Sequence, residues 1–504
     1  MRRPVSGRLR QDGPVALAIA LAVAFHNVIL LSHFHGYVFA FHDLGIIDDW
    51  FSNAIHHGRP FWITDMAVSH LTVHFTPTIV LLTPLFLLTQ SAYLLILLGT
   101  LAMGAALFLG HRTLVRLLAP LDPPAGWVTA LSVVLVFGVS LNPYVKTLLG
   151  SAHIEVFYVP LALGFFYLLL FSERRIAPWI LFALALGVRE ESGIYLAMQS
   201  LALLCLPREV FRDPRPARRR AAIAAPVALA YVVAIVKLVN PYVFGVYENH
   251  VHRGWGRWGD SWLEVVLHMA TSPLELAHAI ADSAFLHLNA SFLFLPWLDP
   301  LYGLLINVPG TLLFSAEPID KRMLWYYNPA FLLPGFLLGL YVAFYRLLRL
   351  AARAKDASTR RGRGALARRG LLAGALLVLA VECRYRASTV EAPAGYSFRR
   401  QESAVRDQRA IAAILAGCPA GTRVATDFRR IVYLPNRIDR YLLRNAAKAD
   451  VVLIFRSVDP MLSGRATAKE VWELLANDGD FALRAETPDY RVYARPAVRC
   501  LAAP

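Results

Sequence analysis

Apolar runs close to the length of a bilayer-spanning helix recur from Val15 to about Leu379 and then stop. The clearest are Val15–Leu31, Ala92–Leu109, Trp127–Leu141, Val156–Phe171, Ala221–Val239 and Ala330–Tyr345. A spanning helix needs ~20 consecutive apolar residues, so this pattern predicts a polytopic α-helical membrane protein. Composition agrees, since the chain is 57% hydrophobic and only 17% charged, less charge than a soluble domain of this size carries.

The net charge of +16 is distributed, and its distribution sets the topology. Basic residues cluster between the apolar runs: Arg2, Arg3, Arg8 and Arg10; Arg112 and Arg116; Arg174 and Arg175; Arg208 to Arg220; Arg346 to Arg369. Clusters that flank apolar spans mark the cytoplasmic side and argue against nucleic-acid binding. With the N-terminus inside, the first span leaves the bilayer near His33 as an uncleaved anchor, because no small-x-small cleavage site follows it. A short final span, Gly370–Val381, then delivers the C-terminal residues to the outside.

Two regions follow: a multi-span domain over residues 1–382, whose first external loop is 32–76, and a periplasmic α/β domain over 383–504. Strand-length runs in the second are Arg423–Thr426, Arg430–Leu434, Asp450–Phe455 and Tyr490–Ala494, with a helical pattern at Thr467–Ala476. Cys383, Cys418 and Cys500 would face an oxidising periplasm; Cys418–Cys500 is one available bridge, though three thiols cannot all pair internally. Cys205 sits in an apolar run and reads as a small core residue.

Charges placed near the bilayer are the chemical signal. The run His42-Asp43-Leu44-Gly45-Ile46-Ile47-Asp48-Asp49-Trp50 holds three carboxylates close to where the first span ends. A carboxylate there is costly unless it meets water, a cation or a substrate. Asp43 is the candidate catalytic base; His42, Asp48 and Asp49 are candidate substrate contacts.

Arg189-Glu190-Glu191 separates two apolar arms, Ile176–Val188 and Gly193–Leu206, whose outer ends both read as cytoplasmic. Each arm reaches only ~20 Å at 1.5 Å per residue, short of the ~30 Å hydrocarbon core. The segment therefore predicts a broken, re-entrant hairpin with charges at its tip, tolerated only beside protein or a polar cavity. An ion pair locking the hairpin is the structural alternative to substrate binding.

His74 precedes Thr76 and Pro77, a helix-start signal, and helix N-termini attract phosphate. His153 and Glu155 open another helix, where Glu155 also suits the first turn for dipole reasons alone. Arg253 and Arg257 lie among Trp and Gly in an external loop that suits carbohydrate stacking or phosphate contact, and suits an interfacial belt better. Tyr326 and Tyr327 stand at the start of a returning span.

No phosphate-loop, dinucleotide-binding or His-Glu-x-x-His pattern occurs, and no zinc spacing of cysteines. ATPase, dehydrogenase and zincin readings therefore lack support. Matching discontinuous halves, which mark many transporters, are not evident either.

In combination, these residues resemble a known family. Asp43-Leu44-Gly45-Ile46-Ile47-Asp48 resembles the DLGIFDQ signature of the bacterial and archaeal predicted membrane proteins of unknown function numbered 2079. His74-Phe75-Thr76-Pro77 followed by Pro84 resembles that family's HFSP…P element. His153-Ile154-Glu155 resembles its FHPE, Arg189-Glu190 its KED, and Trp325-Tyr326-Tyr327 a later HY element. Order and spacing agree from Val15 to about Arg349. Asp49 stands where the family often has Gln, and Arg189-Glu190-Glu191 replaces Lys-Glu-Asp, which keeps the charges but alters their reach.

That family in turn resembles the GT-C glycosyltransferases, which use a polyprenyl-phosphate sugar and an acidic residue in the first external loop. The resemblance implies a GT-C-like fold in the bacterial inner membrane and one-step inverting transfer from a polyprenyl-phosphate donor to a glycan, lipid or protein acceptor. Asp43 would be the base, with Arg189, His74 and Arg253 or Arg257 at the phosphate. Asp48 and Asp49 would orient the acceptor or hold a divalent cation such as Mg or Mn. No cofactor is required by the sequence. A flippase or transporter for lipid-linked saccharides would use the same acidic cavity, and an envelope scaffold is the non-enzymatic alternative.

Overall fold

The computed structural model describes residues 5–39, 44–89, 91–245, 254–353, 397–455 and 479–501, with positions 370, 374, 471 and 475. The chain divides into two compact units: Met1–His26 with Gly99–Tyr396, and Asn27–Leu98 with Ser397–Pro504.

Among the described residues, five helices are long and apolar enough to cross a membrane: Asp12–Phe34, Tyr93–Leu121, Ile154–Phe171, Pro214–Phe244 and Leu333–Leu350. Each overlaps one of the apolar runs read from the sequence. The Trp127–Leu141 run lies in a bent pair, Ala125–Leu141 and Pro143–Gly150, which turns through 55°. Pro143 has no N–H to continue the first helix, and the Asn142 side chain accepts the Tyr144 N–H at 2.9 Å to start the second. The expected last span, Gly370–Val381, lies outside the described residues except for helical Gly370 and Gly374.

The Arg189 region folds as two short helices, Ala177–Leu186 and Ser192–Cys205. The first packs along Tyr158–Phe171. The second packs along Pro214–Ala234 and Pro300–Phe314. Small residues permit the closest of these approaches: a methyl at Gly193 would lie 2.5 Å from the Ala228 carbonyl oxygen. Ala221, Ala224, Ala225 and Ala228 are all buried. Packing through small side chains is how helices gain contact where the hydrophobic effect does not drive them together.

The second unit is built on a five-stranded sheet. Two-residue strands β1 (Trp62–Ile63) and β2 (Val68–Ser69) form a separate antiparallel pair. β3 (Arg423–Thr426), β4 (Asp439–Leu442), β5 (Val451–Phe455), β6 (Ala482–Glu486) and β7 (Tyr490–Ala494) lie in the order β4-β3-β5-β7-β6. β4, β3 and β5 run parallel, β7 runs antiparallel to β5, and β6 runs antiparallel to β7. Ala425, Val452, Leu443 and Phe481 bury one core, joined by Val471 and Leu475, the two described positions of the expected Thr467–Ala476 helix. Cys418 and Cys500 are disulfide-bonded, and Cys205 is free.

One expected strand is not a strand. Arg430–Tyr433 forms a 3-10 turn, because the Asp427 carboxylate accepts the N–H groups of both Arg429 and Arg430 and diverts the backbone.

Candidate functional site

The first unit gathers five sequence candidates into one cluster. His153 takes the N-cap position of the turn Ile154–Phe157, which leads directly into the Tyr158–Phe171 helix. Glu155 on that turn is 1% exposed and accepts on both oxygens. His153 Nδ1 lies 2.6 Å from Oε2, and Arg189 Nη1 donates to Oε1 at 2.8 Å. Glu191 holds the other edge of the guanidinium, with Oε1 at 3.0 Å from Nε. Beneath it lies the Tyr327 ring, 4.6 Å from Arg189 Cζ, a cation–π contact. The His153 ring stands 4.6 Å from the same tyrosine.

Residues from three stretches of chain therefore meet at one guanidinium. The ion pair anticipated as the structural alternative is present. At those two positions an incoming anion must compete with Glu155 or Glu191, and the Glu191 side chain is the more open, at 33% exposure against 2%. Glu190 is half-buried beside them, within electrostatic reach of Arg189. The turn that delivers Tyr327 is strained: Leu324 and Tyr326 both adopt left-handed backbone angles, φ 54° and 57°. Bulky residues adopt such angles only where the surroundings impose them, and such strain collects at functional sites.

The described part of the Trp-rich segment packs against protein. Trp255 and Trp258 are buried, and their indole N–H groups donate to the Leu312 and Ser315 carbonyls at 2.7 and 3.0 Å. Arg257 lies over Trp258 and donates to Ser315 O, while its backbone N–H meets Glu317. Arg257 thus caps the C-terminal end of the Pro300–Phe314 helix, where a cation is favoured. Arg253 lies outside the described residues.

The second unit holds the first-loop acids. Asp43 and His42 lie outside the described residues. Asp48 and Asp49 follow on the short helix Ile46–His56 and are each 1% exposed. Asp48 pairs with Arg440 at 2.7 Å and accepts from Asn436 at 3.1 Å. Asp49 accepts the Thr64 N–H at 2.7 Å and its hydroxyl at 3.3 Å. Burial raises the Asp49 carboxyl to about 7 against the opposing pull of Arg440 and Thr64. Both carboxylates are thus engaged by protein.

Asp65 extends the pattern, accepting from Leu442 N–H, Arg444 and Asn445 at 2.7–2.8 Å. A third knot sets Arg430 between Asp407 at 2.7 Å and Asp427 at 3.1 Å, with Tyr37 hydrogen-bonded to Asp407. Arg440, Asp65 and Arg430 carry no sequence motif, and their partners lie up to 393 residues away. His74 stands beside His70, with ring centroids 5.6 Å apart. Thr76 is the N-cap and Pro77 opens the turn as expected, but Pro77–Leu82 is 3-10 and the Thr76 side chain makes no capping bond.

The chain belongs to the family described as predicted membrane protein DUF2079, whose model matches residues 37–487. No curated protein matches it. Among solved structures it is similar to ArnT from Cupriavidus metallidurans bound to undecaprenyl phosphate, with 13% identity, TM-score 0.47, and 96% of this chain and 98% of that chain covered. The apo state of the same protein gives 15% identity, TM-score 0.44 and the same coverage. Arabinofuranosyltransferase AftD from Mycobacteria gives 14% identity and TM-score 0.44, with 95% of this chain and 40% of that chain covered.

Proposed function

We propose that this protein is a membrane glycosyltransferase that moves a sugar from a polyprenyl-phosphate donor to an envelope acceptor on the outer face of the bacterial inner membrane. The observation that carries the reading is the His153–Glu155–Arg189–Tyr327 cluster in the multi-span unit. Burying a cation and a carboxylate there stabilises little compared with apolar packing, so retaining them points to function. The motif order shared with the DUF2079 family, and that family's resemblance to the acidic-loop transferases, supply the rest.

In this mechanism Asp43 takes the proton of the acceptor hydroxyl as the glycosidic bond to the donor phosphate breaks. The departing phosphate is met by Arg189, with Glu191 swinging away because it is the more exposed of the two carboxylates. Tyr327 and His153 hold the guanidinium in plane. Asp48 and Asp49 act on the acceptor through the helix they stiffen, since both already have protein partners.

The test is sugar transfer by purified protein in detergent, without a membrane gradient, from a polyprenyl-phosphate sugar. Asp43→Asn is expected to lower turnover by ~10²–10⁴-fold with insertion and folding intact. Wild-type turnover in that variant removes Asp43 from the mechanism. Gradient-dependent movement of intact lipid-linked sugar, with no transfer, makes the protein a transporter.

A further inference from the structure

Between the candidate spans Pro214–Phe244 and Leu333–Leu350, the first unit carries two short helices, Trp262–Thr271 and Pro273–Ala281. At 1.5 Å per residue they are ~15 and ~14 Å long, about half the hydrocarbon thickness. Each is firmly started. Ser261 accepts the Glu264 N–H, and the Glu264 carboxylate reaches back to the Asp260 N–H, while Pro273 opens the second helix.

One face is spoken for: Val265, Met269 and Ala279 pack with Trp255, Trp258 and Ala316. The face away from that core is also apolar. Leu263, Val266, Leu267 and Leu274 are 69%, 55%, 53% and 78% exposed. The surface on either side in sequence is of the same kind, with Val233 and Leu238 outward on one neighbouring helix and Leu301 and Leu304 on the other. The patch therefore has the same apolar, outward character as the helices on either side in sequence.

The level of the pair follows from the Pro300–Phe314 helix. At its N-terminal end Asp299 pairs with Arg346 of the basic cluster, at 2.5 Å. At its other end the Trp255 and Trp258 indoles meet Leu312 and Ser315, against which the short helices pack. Trp255 also faces Lys321, 4.8 Å away. Aromatic rings with cations over them belong at the headgroup boundary.

We propose that Trp262–Thr271 and Pro273–Ala281 lie in the plane of the membrane, with Leu263, Val266, Leu267 and Leu274 seated in the acyl layer of the leaflet opposite Arg346. The occupant is lipid chain and not charged headgroup. From Ser261 to Asp282 the segment contains Glu264, Glu275 and Asp282 and neither Lys nor Arg. Anionic lipid gains nothing from it, so the seat depends on apolar contact alone.

The experiment uses the full chain with Cys205 and Cys383 replaced by Ser. Nitroxide labels are placed singly at Leu263→Cys, Leu267→Cys and Leu274→Cys, in phosphatidylcholine nanodiscs with and without phosphatidylglycerol. All three labels are expected to be accessible to oxygen and shielded from a water-soluble nickel complex. They should share one shallow depth, roughly 5–10 Å below the headgroups, unchanged by phosphatidylglycerol or salt. Nickel access puts the face in water and overturns the proposal. Depths graded across the bilayer make the pair a spanning element, and dipolar broadening between copies makes the face a protein interface; either result overturns it as well.

Discussion

Arg189 shows how much one side chain can be asked to do. Its guanidinium satisfies a buried glutamate, meets a second glutamate and lies on a tyrosine ring. Arg189→Met strands Glu155 in a buried site and is expected to cost ~3–5 kcal/mol, read as a fall in melting temperature in detergent. Adding Glu155→Gln should recover much of that loss, because no uncompensated charge remains, while donor binding stays weak. Recovery of donor affinity along with stability would make the arginine purely structural. Asp49 adds a pH dependence. Its carboxyl is raised by burial, so the folded state keeps a proton that the unfolded chain releases. Its contribution to the stability of the second unit should therefore be fully present below about pH 4 and be lost as pH rises through about 7. Melting curves across that range check this, and Asp49→Asn should flatten the slope.

At the scale of elements, what periodicity and punctuation govern was legible, and what depends on distant partners was not. The spans were readable because each is a long apolar run. The break at Arg189 was readable because two arms of such length cannot each cross a bilayer. The kink at Asn142 was missed, although Asn142-Pro143 is a stop-and-restart signal in its own right. β4 was missed because Asp439-Arg440-Tyr441-Leu442 has only two clearly apolar side chains; its Arg440 is buried through Asp48, far away in sequence. β6 is mostly exposed and holds its place by pairing with β7. Of the candidate site, His153, Glu155, Arg189, Glu191 and Tyr327 were each named from sequence, but their convergence on one guanidinium needed the fold. Helix contact brings its own prediction. Gly193→Val pushes a branched side chain into the Ala228 backbone and is expected to destabilise the first unit by ~1–3 kcal/mol, measured by thermal denaturation in detergent. Gly193→Ala should cost less.

For the whole molecule, the basic clusters predict one orientation: Asp43, His74, His153 and the C-terminal region on the outer side. A membrane-impermeant thiol reagent should label Ser403→Cys from outside in intact spheroplasts. Labelling only after the inner face is exposed would invert the topology and move the proposed chemistry to the cytoplasm.

The composition of the second unit also sets a timetable for biosynthesis. Its two parts, Asn27–Leu98 and Ser397–Pro504, are separated by roughly 300 residues of chain. At ~5–20 residues per second, the ribosome needs on the order of 15–60 s to travel from one to the other. Throughout that interval Asp48 and Asp65 have been made, but Arg440 and Arg444 have not. The early segment must wait as an acidic, half-built surface, open to proteases and to mispairing. A chain that terminates before Ser397 would leave it so permanently, and proteolysis, before any lost catalytic residue, would decide the fate of that product.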